Sequence, residues 1–177
     1  MISPEYILVT DSHIQSRIRA RYTHDIESLT KLGFRQLCFY TEQLKPFSAI
    51  FQFPIMFLML LHREVLTIQS PLRISPGFIL LYHTDPSTIA LPMGMGIKLY
   101  TGFTEQSILI KCTFDNAAVP NPNPYIRRNA TTKGLDEAWH LHQYQVRDLE
   151  SNGKVTLQHL SFNSYVDMSR REEGTFK

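Results

Sequence analysis

Between Ser12 and Leu32 apolar side chains recur every three or four positions, at Ile14, Ile18, Tyr22, Ile26 and Leu29. That spacing lays a single apolar stripe along a helix. Ser12 and Gln15 stand in the relation of a capping box, so the helix is expected to begin near Ser12. Thr23-His24-Asp25 favour caps over helix interiors and can divide the stretch into two shorter helices. Gly33 stands where a left-handed residue ends a helix.

From Phe34 the period changes. Phe34, Leu37, Cys38, Phe39 and Tyr40 predict a strand. Pro46 to Leu61 then runs for sixteen residues without a charge, PFSAIFQFPIMFLMLL, and stops at His62-Arg63-Glu64. A membrane-spanning helix needs about twenty apolar residues, and Pro54 interrupts this run near its middle. Its Phe and Ile content favours a pleated strand instead. On such a strand Phe51, Phe53, Ile55, Phe57, Met59 and Leu61 point one way. Ile50, Met56, Leu58 and Leu60 point the other, so both sides of the strand must be covered.

Short runs follow at Val65–Ser70, Phe78–His83, Ile89–Leu91, Ile97–Tyr100 and Ser107–Phe114, separated by turn signals such as Asp85-Pro86-Ser87. Short strands with short connections make an antiparallel meander. Met93-Gly94-Met95-Gly96 lacks the third glycine and the following helix of a dinucleotide fingerprint, and reads as a bulge or sharp bend in a curved strand. Asp115 to Gly134 carries Pro120, Pro122 and Pro124 and reads as a loop, a linker or a functional arm. Leu135, Trp139, His142, Val146 and Leu149 return to helical spacing, with Asp136 and Glu137 in the first turn and Gly153 at the stop. Val155-Thr156-Leu157 looks extended, and a short helix capped by Ser161 can follow.

These elements predict an α+β domain spanning residues 1–177. An antiparallel β-meander of four to six strands is packed by an N-terminal helix and one or two C-terminal helices. Residues 1–114 supply the first helix and the sheet, 115–134 the Pro/Asn-rich loop, and 135–177 the C-terminal helical part.

Composition adds limits. A chain of 177 residues can bury a core large enough to need no disulfide or metal staple. The 18 Lys and Arg nearly balance the 16 Asp and Glu, giving a formal net charge of +2. That balance supplies no general attraction to nucleic acid or to an anionic membrane. Arg17 and Arg21 share a helix face, but Asp11, Asp25 and Glu27 dilute it. Cys38 and Cys112 belong to no C-x-x-C pair and read as two buried free thiols. The N-terminus MISPEYILVTDSH has no basic segment followed by an apolar one, so a cytoplasmic protein is expected, and Asn129-Ala130-Thr131 is an incidental sequon.

Candidate chemistry is sparse. His140 and His142 lie two apart on the predicted helix and so face nearly opposite ways. The chain has no H-x-x-x-H or H-E-x-x-H pattern, and no metal or cofactor is expected. No G-x-S-x-G elbow appears. His62-Arg63-Glu64 and His83 with Asp85 read as polar turns. The expectation is a non-catalytic interaction or binding protein that self-associates. Phe57, Met59, Leu61, Trp139 and His142 are its candidate ligand or interaction residues. One alternative is a binder of an apolar small molecule or lipid held between the sheet and the Trp139 helix. Another is an enzyme whose polar residues converge only in three dimensions.

Overall fold

The structure, a computed structural model, describes residues 5–43, 66–70, 73–113, 126–130 and 134–173. The chain opens with a short strand, β1 (Glu5–Leu8), then two helices, α1 (Ser12–Arg21) and α2 (Thr23–Lys31). Seven more strands follow: β2 (Arg35–Gln43), β3 (Leu66–Ser70), β4 (Arg73–Thr84), β5 (Ser87–Pro92), β6 (Ile97–Gly102), β7 (Ile108–Cys112) and β8 (Ile126–Ala130). Two helices close the described chain, α3 (Leu135–Ser151) and α4 (Phe162–Glu172).

The strands form one sheet in the order β1-β2-β4-β5-β6-β7-β8, with β3 pairing β4 off this path. Every pairing is antiparallel except β7 with β8. This is the α+β architecture the hydrophobic pattern predicts, with two further strands at its edges. β8 lies within the stretch expected to be loop: Ile126 pairs Ile108 and Ala130 pairs Cys112. Its sequence, IRRNA, shows no alternation of its own, and the ladder to β7 holds it.

Side chains alternate between the two faces of each strand, and here both faces are apolar. On one face Phe39, Ile79, Leu81, Ala90, Ile97 and Leu99 pack with Ile18, Tyr22, Leu29 and Trp139 of α1, α2 and α3. On the other, Tyr40, Leu80, Ile89, Leu91, Tyr100 and Ile110 pack with Tyr165 and Met168 of α4. Among the described residues three helices therefore cover the first face and one covers the second.

Local chemistry sets the helix ends. The Asp11 carboxylate accepts the Ile14 amide at 2.9 Å, so Asp11 rather than Ser12 is the cap of α1. Gln15, expected to reach back in a capping box, instead donates its side-chain amide to the Val9 carbonyl at 2.8 Å. The division at Tyr22 falls where Thr23-His24-Asp25 predicts it. Ser161 caps α4 by accepting the Ser164 amide at 3.2 Å. Met93 to Gly96 form a turn between β5 and β6, with the Met93 amide donating to the Gly96 carbonyl at 2.8 Å. The glycines there reverse the chain rather than bulge a strand. Val155-Thr156-Leu157 is extended, and Thr156 bridges Phe103.

Leu80 and Leu81 are neighbours that point to opposite faces, and both are buried. Replacing either by Ala removes a comparable packed side chain, at about 2–5 kcal/mol each. Urea denaturation of Leu80→Ala and Leu81→Ala is expected to give two large losses; one large and one small would mean a sheet covered on a single face.

Candidate functional site

Of the residues singled out by sequence, Phe57, Met59 and Leu61 lie outside the described residues, as do Pro46–Leu61 as a whole and His62-Arg63-Glu64. Trp139 and His142 sit on the inner side of α3, both buried. The Trp139 ring packs against Phe34 and His83, each with centroids at 4.9 Å, and stacks near His142 at 6.1 Å. His140, two residues away, is exposed, as helical geometry requires. The Asp85 amide donates to His83 Nδ1 at 3.1 Å, so that pair is a turn contact.

His142 ends a buried polar row. Its Nε2 lies 2.8 Å from Thr101 Oγ1, which lies 2.8 Å from Thr88 Oγ1. Its Nδ1 has no hydrogen-bond partner among the described residues. A bare acceptor is less costly there than a bare N–H, so the neutral ring donates through Nε2. Burial, aided by the charge of Lys111, pushes the imidazole down to about 3.

The second face holds a larger constellation that sequence reasoning did not assemble. β2 presents Tyr40 and Glu42, β1 presents Tyr6, β6 presents Lys98 and Tyr100, and α4 lays Tyr165, Ser169, Glu172 and Glu173 over them. The Tyr40 and Tyr165 hydroxyls are 2.7 Å apart and wholly buried. Tyr100 donates to Glu172 Oε2 at 2.7 Å, and Lys98 Nζ donates to Glu172 Oε1 at 3.0 Å. Tyr6 lies 3.0 Å from Ser169 Oγ and donates to Glu173 Oε1 at 3.3 Å. The rings pack together as well, with Tyr165 edge-on to Tyr100 at 5.7 Å and to Tyr6 at 6.2 Å.

Burial dominates the electrostatics. It pushes the Glu42 carboxyl up to about 7; the nearby charge of Glu173 adds to this, while Tyr40 and Lys98 oppose it. Burial likewise raises Glu173, and it drives the Tyr40, Tyr100 and Tyr165 hydroxyls well above their usual range. The half-buried Cys38 thiol is pushed up to about 12 by burial, so it remains protonated. The one signal in the sequence is Cys38-Phe39-Tyr40-Thr41-Glu42, whose alternation sets Tyr40 and Glu42 on one face.

Among the described residues no three His, Cys, Asp or Glu side chains converge to hold a metal ion. No helix among them is long and apolar enough to cross a membrane. No family model, no curated protein and no solved structure matches the chain. Its chemistry therefore has to be read from its own side chains.

Two measurements test this geometry. The Tyr40 and Tyr165 hydroxyls satisfy each other in a dry interior, so a double-mutant cycle of Tyr40→Phe and Tyr165→Phe is expected to show coupling of about 0.5–3 kcal/mol. Additive losses would mean the pair is not bonded. His142 has a lowered folded-state pKa, so the unfolded chain binds more protons below pH 6.5. Its contribution is thus complete above the unfolded value and is lost as pH falls toward 3. The acid arm of the stability profile is expected to flatten in His142→Gln by up to about 1.4 kcal/mol per pH unit between pH 6 and 4. An unchanged arm would mean that His142 titrates normally.

Proposed function

We propose that this chain is a non-catalytic binding protein that associates with a second copy of itself through the sheet face bearing α4. The observation that carries this reading is the unequal cover that the described residues give the two faces. α1, α2 and α3 close one face. On the other, Leu37, Cys38, Phe78, Met93 and Phe162 remain only partly buried beside the fully packed Tyr40, Leu80 and Leu91. Half-covered apolar side chains around a well-packed centre are what an interface core and its surround require. The formal net charge of +2 puts little repulsion between copies. Cys38 and Cys112 form no disulfide among the described residues, which supports a cytoplasmic setting. The near balance of charge supports a protein partner over a nucleic acid.

A second reading is favoured by Glu42, whose carboxyl is held near neutrality at the edge of the same face. In it the face binds a small substrate and Glu42 moves a proton.

Sedimentation velocity from about 1 to 100 μM is expected to show a reversible dimer, a range that brackets the weak end of specific association. Phe162 opens α4 and lies 5.7 Å from the Tyr40 ring while keeping part of its surface free. Phe162→Glu is expected to abolish the dimer while the chain still unfolds cooperatively. A wild-type monomer at every concentration would overturn the dimer, and a bound small molecule in its native mass spectrum would point to the second reading.

A further inference from the structure

α4 is held by side chains that lie far from it in sequence. The Tyr165 hydroxyl meets that of Tyr40 at 2.7 Å, and Ser169 Oγ meets the Tyr6 hydroxyl at 3.0 Å. Glu172 spreads its two oxygens over Lys98 Nζ at 3.0 Å and the Tyr100 hydroxyl at 2.7 Å, and both members of the ion pair are largely buried. Arg171 donates to the Gln106 carbonyl at 3.2 Å. Met168 fills a notch left by Gly102, where a Cβ would stand 3.0 Å from its sulfur. These partners of α4 lie on β1, β2, β6 and the turn after β6.

The tether that leads to α4 is short, and its anchor is separate from the helix. Thr156 bridges Phe103, and the Leu157 amide donates to the Gly102 carbonyl at 2.9 Å. Ser161 then caps α4. Gln158, His159 and Leu160 lie between, the first two exposed. The backbone from Leu157 to Ser161 reaches at most about 14 Å when fully extended. Such a tether hands α4 to another molecule only where two α4-bearing faces meet, which is where the proposed dimer sets them.

We propose that α4 is the element exchanged in that dimer: the α4 of each copy docks on the β1, β2 and β6 face of its partner, through the contacts it makes within a single chain. This inference rests on the proposed self-association and names its mode.

Exchange leaves every one of these contacts in place, so its cost is confined to the tether and to the association itself. The pairs to be broken in passing are mostly hydroxyl pairs, which add little net stability. The gain is further cover for Leu37, Phe78 and Phe162, which a single α4 leaves partly buried. The occupant is a second copy of this helix because the fit is particular to it. Lys98 and Tyr100 take one carboxylate, Tyr40 takes one hydroxyl, and Gly102 admits one thioether.

The buried ion pair supplies the test in the wild-type chain. Nitrogen-14 and nitrogen-15 chains in equal amounts are refolded together from urea, or held together in the native state should refolding fail, at about 100 μM. A carbodiimide then joins Lys98 to Glu172 directly, and mass spectrometry reads the isotopes of the two linked peptides. Exchange is expected to make about half of them pair one light with one heavy peptide, as random pairing of equal pools requires. Pools cross-linked before mixing are expected to give none. Native mass spectrometry of the same sample counts mixed-isotope dimers. Mixed dimers whose linked peptides are isotopically pure would overturn the exchange and leave the dimer standing. A sample with no dimer at all would overturn both.

Discussion

A sheet with two apolar faces is the constraint from which the rest of the molecule follows. Alternation sends Leu80 and Leu81, or Leu99 and Tyr100, to opposite sides, and neither side can be left to water. A sheet with one polar face needs a single layer of helices. This one needs two, and the four helices of the described residues are shared between them. Among the described residues three lie on the first face, and the eleven residues of α4 lie on the second.

The two layers are held differently. On the first face the core contacts are apolar apart from the Tyr22 hydroxyl, which donates to the Gly77 carbonyl at 3.4 Å, and the row from Thr88 to His142, where a histidine made neutral by burial fixes α3 against β6. A short helix cannot cover as much area, and α4 adds polar groups instead. Its Tyr165, Ser169, Glu172 and Glu173 each meet a partner on the sheet. Arg171 also donates to the Gln106 carbonyl at 3.2 Å, in the turn between β6 and β7. Buried hydroxyls add little net stability when paired and cost much when not. They therefore select one position for α4 more than they deepen the well.

Much of the fold was legible in the hydrophobic pattern. The stripe from Ile14 to Leu29, its division at Thr23 and the stripe from Leu135 to Leu149 each mark a helix, because helical burial repeats at a period that few other arrangements share. β1 was not legible, since Glu5–Leu8 is too short to display alternation. Asp11 and Ser12 are both competent caps, and only the path of the chain decides between them. β8 is held by its neighbour rather than by its own composition. The tyrosine and glutamate cluster was hidden for a stronger reason. Alternation can pair Tyr40 with Glu42, but Tyr6 meets Ser169 across 163 residues of sequence, a contact that no local pattern encodes.

That separation bears on how the molecule is made. Chains emerge from the ribosome amino end first, and parts can fold as they appear. The strands from β1 to β8 and the three helices of the first face are all available before α4 exists. Until Phe162–Glu172 are synthesised, Tyr40, Leu80 and Tyr100 lack Tyr165 and Met168, the helical side chains that pack on them among the described residues. The nascent protein thus passes through an interval in which the second face waits for α4. A chaperone, or a second nascent chain, has its best opportunity to engage it then.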